Sequence, residues 1–134
     1  MNGSGPVRNA MSVDVEDWFQ VQAFAGVIRR ADWDGLASRV EANTERVLER
    51  FANAGVRATF FTLGWVAERY PALIRRIVAA GHELASHGYG HELVTRLGQA
   101  GFRADIRRAK RVLEDTAGTG VAGYRAPTFS VTPA

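Results

Sequence analysis

The sequence predicts an α/β fold in which short buried strands of a parallel sheet alternate with amphipathic helices. Two observations support this prediction: short apolar runs recur along the 134 residues, and longer segments with apolar residues at helical spacing lie between them. The composition, 46% hydrophobic and 23% charged, is that of an ordinary folded protein. We find no internal repeat and no low-complexity tract. The chain is therefore expected to form one domain over residues 11–134, preceded by a flexible, glycine-rich segment at 1–10.

Four strands are predicted where apolar, β-branched and aromatic residues cluster in short runs. These runs lie at 11–15, 57–63, 82–86 and 121–124. Helical segments separate consecutive runs, and parallel pairing of strands requires connections of that length. The predicted architecture is thus a series of βα units around a largely parallel sheet.

Four helices are predicted between and after these strands. The first begins after Asp34, a suitable N-cap, and ends at Gly55, because glycine commonly follows the last helical turn. Pro71 suits the first turn of the third helix, which the run Ala79-Ala80-Gly81 closes. The predicted helices cover about 35–54, 64–69, 71–80 and 105–115.

Charge and composition narrow the classes of function. The 17 basic and 14 acidic residues leave a formal charge of +3, but the arginines are scattered through helical segments, which is typical of solvated helix faces and not of a nucleic-acid-binding surface. Without cysteine, any metal site must use nitrogen and oxygen ligands. No apolar run resembles a signal peptide or is long enough to cross a bilayer, so we expect no membrane span and a cytoplasmic location.

Titratable residues follow the predicted strands at three places. Asp14 and Glu16 end the first strand, His87 and His91 follow the third, and Arg125 follows the fourth. Ligands gather at the carboxyl ends of parallel strands, so these side chains are expected to meet on one rim of the sheet. Two imidazoles and one carboxylate, with coordination positions left open to water, are the ligands of a hydrolytic zinc-type site. The pattern therefore predicts a metal centre.

Several residues keep more than one interpretation. Side chains alternate along a strand, so Asp14 and Glu16 share a face and Asp17 points away, but a distorted strand would make Asp17 the metal carboxylate instead of Glu16. A second interpretation of these three acidic residues is a solvated turn. Arg125 either enters the site or pairs with a backbone carbonyl. His82, at the entry of the third strand, is expected to be a structural hydrogen-bonding residue. Aromatic residues near strand ends are candidates for a sugar subsite or for the core: Trp18, Phe19, Trp65 and Tyr89.

On these residues the chain resembles the polysaccharide deacetylase family, the NodB-homology domain of carbohydrate esterase family 4. That family has an Asp pair after the first strand, two histidines four residues apart after the third, and Arg-x-Pro after the fourth. The matching segments here are Asp14-Val15-Glu16, His87-Gly88-Tyr89-Gly90-His91 and Arg125-Ala126-Pro127. The Asp-x-Glu form and the glycine after the first histidine look more like a divergent branch with peptidoglycan deacetylase-like and allantoinase-like members. Residues 12–21 are especially similar to deacetylases encoded with exopolysaccharide and exosortase systems.

The resemblance implies a role for each residue of the predicted centre. Glu16, His87 and His91 are implied to hold a divalent metal, zinc in the first place, with cobalt or nickel as alternatives. Asp14 is implied to be the general base that takes the proton of the attacking water. Arg125 is implied to pair with Asp14 and orient it, a contact that suits guanidinium geometry.

The same resemblance implies the contacts with substrate, which is expected to be an N-acetylated polysaccharide or oligosaccharide. A backbone N–H just after Pro127, at Thr128 or Phe129, is implied to stabilise the oxyanion. Trp18 and Tyr89 complete the expected substrate-binding set. The implied activity is metal-dependent removal of N-acetyl groups from the amino sugars of an exopolysaccharide or a peptidoglycan-like polymer.

The family fold is a deformed seven-stranded (β/α) barrel with parallel strands, of which this chain is expected to supply the N-terminal part, about four βα units. The family barrel continues with strands that carry a further histidine, the general acid, and a pocket for the acetyl methyl group. An incomplete barrel has an open sheet edge, so self-association is also expected. Two alternative functions are a catalytically silent module that binds metal or carbohydrate, and an allantoinase-like or imidase-like hydrolase of a small cyclic amide.

Overall fold

The structure, a computed structural model, describes residues 5–133 and has the predicted α/β architecture. Three short strands form a parallel sheet in the order β1-β2-β3, and helices connect them. Within the described residues the strands are β1 Ser12–Val15, β2 Thr59–Thr62 and β3 Glu83–Ser86. The helices are α1 Val40–Ala54, α2 Gly64–Arg69, α3 Pro71–Ala79 and α4 Val94–Ala117.

The register of the sheet brings the carboxyl ends of all three strands to one edge. Val15 lies opposite Thr62, which in turn lies opposite Ser86. Phe60, in the middle of the central strand, is fully buried. α2 and α3 pack against α4, and α3 also packs against β3. The apolar side chains that they bury include Val66, Leu73, Ile74, Ile77 and Leu113. The core therefore fixes where each strand ends, and with it the positions of the residues that follow.

The segment between β1 and α1 differs from the prediction. The predicted helix at 35–54 begins only at Val40, and three 3₁₀ turns at Trp18–Gln20, Gln22–Phe24 and Arg30–Gly35 precede it. Asp34 is not the N-cap; its carboxylate pairs with Arg69 at 2.6 Å. We call residues 18–35 the turn segment. Phe19 and Trp33 are buried, whereas Trp18, Phe24 and Val27 are exposed, so the apolar residues of this segment follow neither a helical nor a strand period.

The last predicted helix and strand also need correction. α4 begins at Val94 and not near residue 105, and it is kinked at Gly98, whose φ of 63° lies outside the helical range. The predicted strand 121–124 is reduced to one parallel bridge between Ser86 and Tyr124. The N–H of Val121 donates to the carboxylate of Glu114, and its carbonyl accepts from Lys110. Side chains of α4 thus take the hydrogen bonds that a strand ladder would use.

The chain termini are described only in part. Residues 5–11 have no helix or strand and are exposed, while residues 1–4 of the predicted flexible segment, and residue 134, lie outside the described residues. The domain boundary at residue 11 stays a prediction. Among the described residues, no helix is both long and apolar enough to cross a membrane.

His82 has the structural role predicted for it. Its Nδ1 accepts a hydrogen bond from the N–H of Ala58 at 3.1 Å, and its ring packs on Phe60 with the centroids 4.8 Å apart. Nδ1 must therefore be unprotonated in the folded chain. Burial lowers the pKa of His82 below its ordinary value, and the nearby charge of Arg57 acts in the same direction.

This depressed pKa predicts an acid-sensitive contribution to stability. As the pH falls below about 6.5, the unfolded chain binds a proton at His82 before the folded chain does, so the free energy of unfolding decreases. The contribution is present above pH 6.5 and disappears as the pH falls through the folded pKa. His82→Asn keeps an oxygen acceptor for Ala58 but cannot titrate, so we expect urea denaturation between pH 5 and 8 to show a shallower acid slope for the variant. Equal slopes in the two proteins contradict this role.

Candidate metal centre

The end of β1 carries three carboxylates that point in two directions. Asp14 and Glu16 face the loop after β3, whereas Val15 and Asp17 are buried on the other side, each 1% exposed. The alternation of side chains along an extended segment produces this division. The two carboxylates that face the loop are therefore the ones that can meet the histidines.

The loop after β3 is compact and contains both histidines. Gly88 has a φ of 78°, and a Cβ atom there would come within 2.9 Å of the carboxylate of Asp105 on α4. That carboxylate accepts the N–H of Tyr89 at 3.3 Å, which ties the loop to α4. His91 itself has a φ of 59°, an unusual conformation for a residue other than glycine that is often retained at functional sites. We call residues 87–91 the histidine loop.

Glu16, His87 and His91 converge on one point. Each offers one ligand atom, and the three atoms lie within 4.8 Å of one another. Glu16 Oε2 is 2.8 Å from His91 Nε2 and 4.0 Å from His87 Nε2. Ligand atoms around a tetrahedral ion at about 2.1 Å are roughly 3.4 Å apart. The three side chains thus surround a space that fits one small cation.

The protonation state of His87 suits a metal ligand. Its Nδ1 lies 2.8 Å from the carbonyl oxygen of Arg125, and because a carbonyl can only accept, Nδ1 carries the proton. Burial lowers the pKa of His87, against the opposing influence of that hydrogen bond and of the carboxylates of Asp14 and Glu16. The neutral ring therefore directs the lone pair of Nε2 toward the carboxylates, as metal-binding histidines do.

Two buried polar atoms around the centre have no hydrogen-bond partner among the residues that the structure describes. Glu16 Oε2 is one, since its short contact with His91 does not have hydrogen-bond geometry, and His91 Nδ1 is the other. Leaving such atoms without a partner is costly, and a cation would satisfy the carboxylate oxygen. The residues present therefore fit a divalent metal with nitrogen and oxygen ligands.

Asp14 lies beside this centre and is held by Arg125. The guanidinium donates from Nη1 to Asp14 Oδ1 at 2.7 Å and from Nη2 to Ser12 at 2.9 Å, while its plane lies over the ring of Phe61. The other oxygen of Asp14, Oδ2, is 3.9 Å from His87 Nε2. Arg125 thus contacts the site with its side chain, and it leaves one carboxylate oxygen facing the centre.

Comparison with known proteins decides the family. The sequence matches the polysaccharide deacetylase family over residues 33–133, about three quarters of the chain. The chain belongs to this family. The resemblance to the family is thereby confirmed, while membership in the branch that is encoded with exopolysaccharide systems stays a prediction.

Two curated deacetylases illustrate the similarity. The chain is 31% identical to a peptidoglycan-N-acetylglucosamine deacetylase of Bacillus cereus over 84 residues, which cover 63% of the chain and 30% of that protein. It is 39% identical to a chitooligosaccharide deacetylase of Sinorhizobium fredii over 70 residues, which cover 52% of the chain and 33% of that protein. The matched segments thus span about a third of the length of these relatives.

Solved structures confirm the fold class. A Mycobacterium smegmatis protein assigned to the polysaccharide deacetylases superposes with a TM-score of 0.71 at 32% identity, over 89% of this chain and 42% of that one. The three parallel strands and their helices therefore correspond to part of the deacetylase barrel, as predicted. The match extends to less than half of the longer protein.

In this member of the polysaccharide deacetylase family, Asp17 has a structural role. Its carboxylate accepts hydrogen bonds from the hydroxyl of Ser38 at 2.5 Å and from the N–H groups of Arg39 and Val40 at 3.1 and 3.3 Å. It thereby stabilises the beginning of α1, where a negative charge is favourable. The alternative in which Asp17 replaces Glu16 as a metal ligand has no support in this geometry.

The residues predicted to contact substrate lie in different environments. Tyr89 is buried in the core, its hydroxyl donates to Glu68 at 2.6 Å, and the guanidinium of Arg108 lies over its ring. This environment favours the core alternative, and a sugar-binding role for Tyr89 stays a prediction. Trp18 is 38% exposed and lines a cavity with Asp14 and Glu16. Phe19 and Trp65, the other aromatic candidates, belong to the core.

The segment after Arg125 has an unusual backbone conformation. Pro127 is buried, whereas Thr128 and Phe129 are exposed and both have positive φ values, 54° and 51°. The N–H of Phe129 donates to the carbonyl of Ala126 at 3.0 Å. Phe129 is therefore excluded as the backbone donor to an oxyanion, and of the two predicted donors only Thr128 remains.

Sequence reasoning missed two residues that shape the site. Asp105 holds the histidine loop on α4, and Arg30 donates to the carbonyl of Gly90 at 3.3 Å and to Glu92 at 2.9 Å. A Cβ atom at Gly90 would lie 2.1 Å from the guanidinium of Arg30, so a side chain there would require Arg30 to move. The glycine residues of the histidine loop were the sequence feature that could have indicated these contacts, because glycine allows other groups to approach the backbone closely.

Proposed function

We propose that this chain supplies the metal-binding part of a hydrolase that removes N-acetyl groups from the amino sugars of a polysaccharide. The observation that carries the proposal is the convergence of Glu16, His87 and His91 within 4.8 Å, with Asp14 directly beside them. Membership in the polysaccharide deacetylase family supports the class of reaction. The named activities of the two curated relatives support an N-acetylated glycan as the substrate.

Zinc is the proposed ion, with cobalt or nickel as substitutes that accept the same ligands. Glu16, His87 and His91 would hold it, a set of three protein ligands that matches catalytic zinc sites in other hydrolases. When bound, the ion supplies Lewis-acid polarisation of the acetyl carbonyl and a lower pKa for water. Its ligand His87 is oriented by the carbonyl of Arg125, which fixes the ring and its tautomer.

Asp14 is the proposed general base. Arg125 engages Oδ1, so Oδ2 is the oxygen that faces the centre and takes the proton of the attacking water. The oxygen of that water forms a bond to the acetyl carbon, the C–N bond of the amide breaks, and the proton that Asp14 took from the water passes to the nitrogen, so that the sugar leaves as an amine. The N–H of Thr128 is the proposed donor to the oxyanion. Trp18 and Phe129, the exposed aromatic residues near the site, are proposed to contact the sugar rings.

Acetate release from an acetylated chito-oligosaccharide by the zinc-loaded protein tests this proposal. Replacing Asp14 by asparagine removes the base, so we expect kcat to fall at least about a hundredfold while zinc stoichiometry is retained. Asp115→Asn, an exposed carboxylate on α4, is the matched control and should leave kcat unchanged. Zinc uptake without acetate release by the wild-type protein contradicts the proposal and favours a silent binding module. Ring opening of a cyclic ureide in place of acetate release favours the allantoinase-like alternative.

A further inference from the structure

A cavity lies beside the candidate metal centre, between the turn segment and the histidine loop. Its volume is about 130 Å³, and the residues that matter for its chemistry are Gln20, His91, Arg30 and Arg96. His91 belongs both to this cavity and to the metal centre. A group bound in the cavity is therefore adjacent to the reacting part of a substrate.

Two buried side chains offer this cavity hydrogen-bond donors that have no partner. Gln20 is 3% exposed, and its Oε1 accepts the N–H of Asp17 at 2.7 Å, which leaves Nε2 as the donor without a partner. His91 Nδ1 is the second. Because Nε2 of His91 faces Glu16, Nδ1 carries the ring proton when Nε2 binds a metal. Both groups require an acceptor, and neither finds one among residues 5–133.

The charge around the cavity is also suited to an acceptor. Arg30 is fixed by Glu92 and by the carbonyl of Gly90, and its guanidinium lies over the ring of Trp33. Arg96 forms no ion pair within the part of the chain that the structure describes, so its positive charge is not compensated locally. With Arg30 and Arg96 on one side of the balance and Glu92 on the other, the charged residues that line the cavity carry a net positive charge.

We propose that this cavity binds the carboxylate of an acidic sugar, which makes the substrate an anionic polysaccharide. A volume of about 130 Å³ accommodates a carboxylate with its attached carbons but is small for an entire sugar derivative, as pockets for larger ligands begin near 300 Å³. The unpartnered donors of Gln20 and His91, with the charge of Arg96, match the two oxygens and the charge of a carboxylate. Only the identification of the ligand as a sugar rests on the proposed function.

Binding of four sugars to the zinc-loaded protein tests this inference. Glucuronate and N-acetylmuramate carry the carboxylate on the ring or on a lactyl ether, and glucose and N-acetylglucosamine are their neutral counterparts. We expect at least one acid to bind about tenfold more tightly than its neutral counterpart in a calorimetric titration. Equal binding of both pairs, or no binding of either acid, overturns the inference.

Matched variants locate the binding. Arg96→Gln should abolish most of the preference for the acid, whereas Arg103→Gln, an exposed arginine on the same helix, should keep it. Gln20→Glu retains an acceptor for the N–H of Asp17 but repels a carboxylate, and Gln99→Glu on the surface of α4 is its control. A preference that survives both Arg96→Gln and Gln20→Glu shows that the carboxylate binds the zinc ion instead, and overturns the inference.

The inference and the proposed function fail in different ways. If the protein prefers the acids but releases no acetate from any glycan, the cavity assignment stands and the hydrolase proposal is wrong. If it releases acetate from neutral chito-oligosaccharide and shows no preference for acids, the hydrolase proposal stands and the cavity assignment is wrong.

Discussion

Replacing His91 by alanine is expected to lower the affinity of the protein for zinc at least about a hundredfold. The change removes one of three proposed ligands, and loss of a residue that only supports a ligand already costs about 10- to 100-fold in metal affinity. His91 Nε2 lies 2.8 Å from Glu16 Oε2, so the remaining carboxylate would also lose its nearest neighbour. Competition with a chromophoric chelator measures the affinity directly.

His82→Asn is the matched control for this variant. It removes a buried histidine that binds the backbone of Ala58 and takes no part in the metal centre, so zinc affinity should remain that of the wild-type protein. Glu16→Gln should weaken zinc binding as His91→Ala does, because an amide oxygen is a poorer ligand than a carboxylate. If His91→Ala binds zinc as tightly as His82→Asn, the proposed centre is wrong.

The second large effect concerns stability. Asp17→Ala is expected to lower the free energy of unfolding by about 2–4 kcal/mol, because the buried carboxylate accepts hydrogen bonds from Ser38, Arg39 and Val40. Its loss leaves the first N–H groups of α1 without an acceptor and removes a favourable charge from the helix N-terminus. Urea denaturation monitored by circular dichroism measures the change.

Zinc binding distinguishes this role from the alternative one. If Asp17 acts only through α1, the folded fraction of Asp17→Ala should bind zinc with the affinity of the wild-type protein. Glu41→Ala, an exposed acidic residue in the first turn of α1, is the control and should change stability by less than about 0.5 kcal/mol. An Asp17→Ala protein that is as stable as wild type but cannot bind zinc would reverse the assignments of Asp17 and Glu16.

The parts of the fold that were predicted correctly are those determined by the apolar pattern of their own short segment of sequence. α2 begins and ends as predicted, α3 and the first three strands are correct to within a few residues, and each has a continuous run or a helical period. The turn segment and the kinked start of α4 depend instead on side chains and glycine residues that interrupt any period. The predicted fourth strand does not form because the backbone of Val121 donates to Glu114 and accepts from Lys110, contacts that no local pattern reveals.

The same distinction applies to the site. Asp14, Glu16, His87, His91 and Arg125 could be selected because each lies at or just after the end of a predicted strand, and parallel strands bring those ends together. The environment of Tyr89 could not be predicted, because its hydroxyl partner Glu68 and the covering Arg108 come from two other helices. The position of a residue beside a motif therefore does not show whether its side chain faces solvent or the core.

The positions of the three proposed ligands along the chain imply that metal binding affects the stability of the fold. Glu16 follows β1 and the two histidines follow β3, so an ion between them is a cross-link that closes a long loop containing α1, α2 and α3. Closing such a loop removes conformational freedom from the unfolded chain, as a disulfide does in a protein that has cysteine. Folding of the sheet and binding of the ion are then thermodynamically coupled. Removal of the ion by a chelator would therefore lower the free energy of unfolding of the whole domain as well as empty the site.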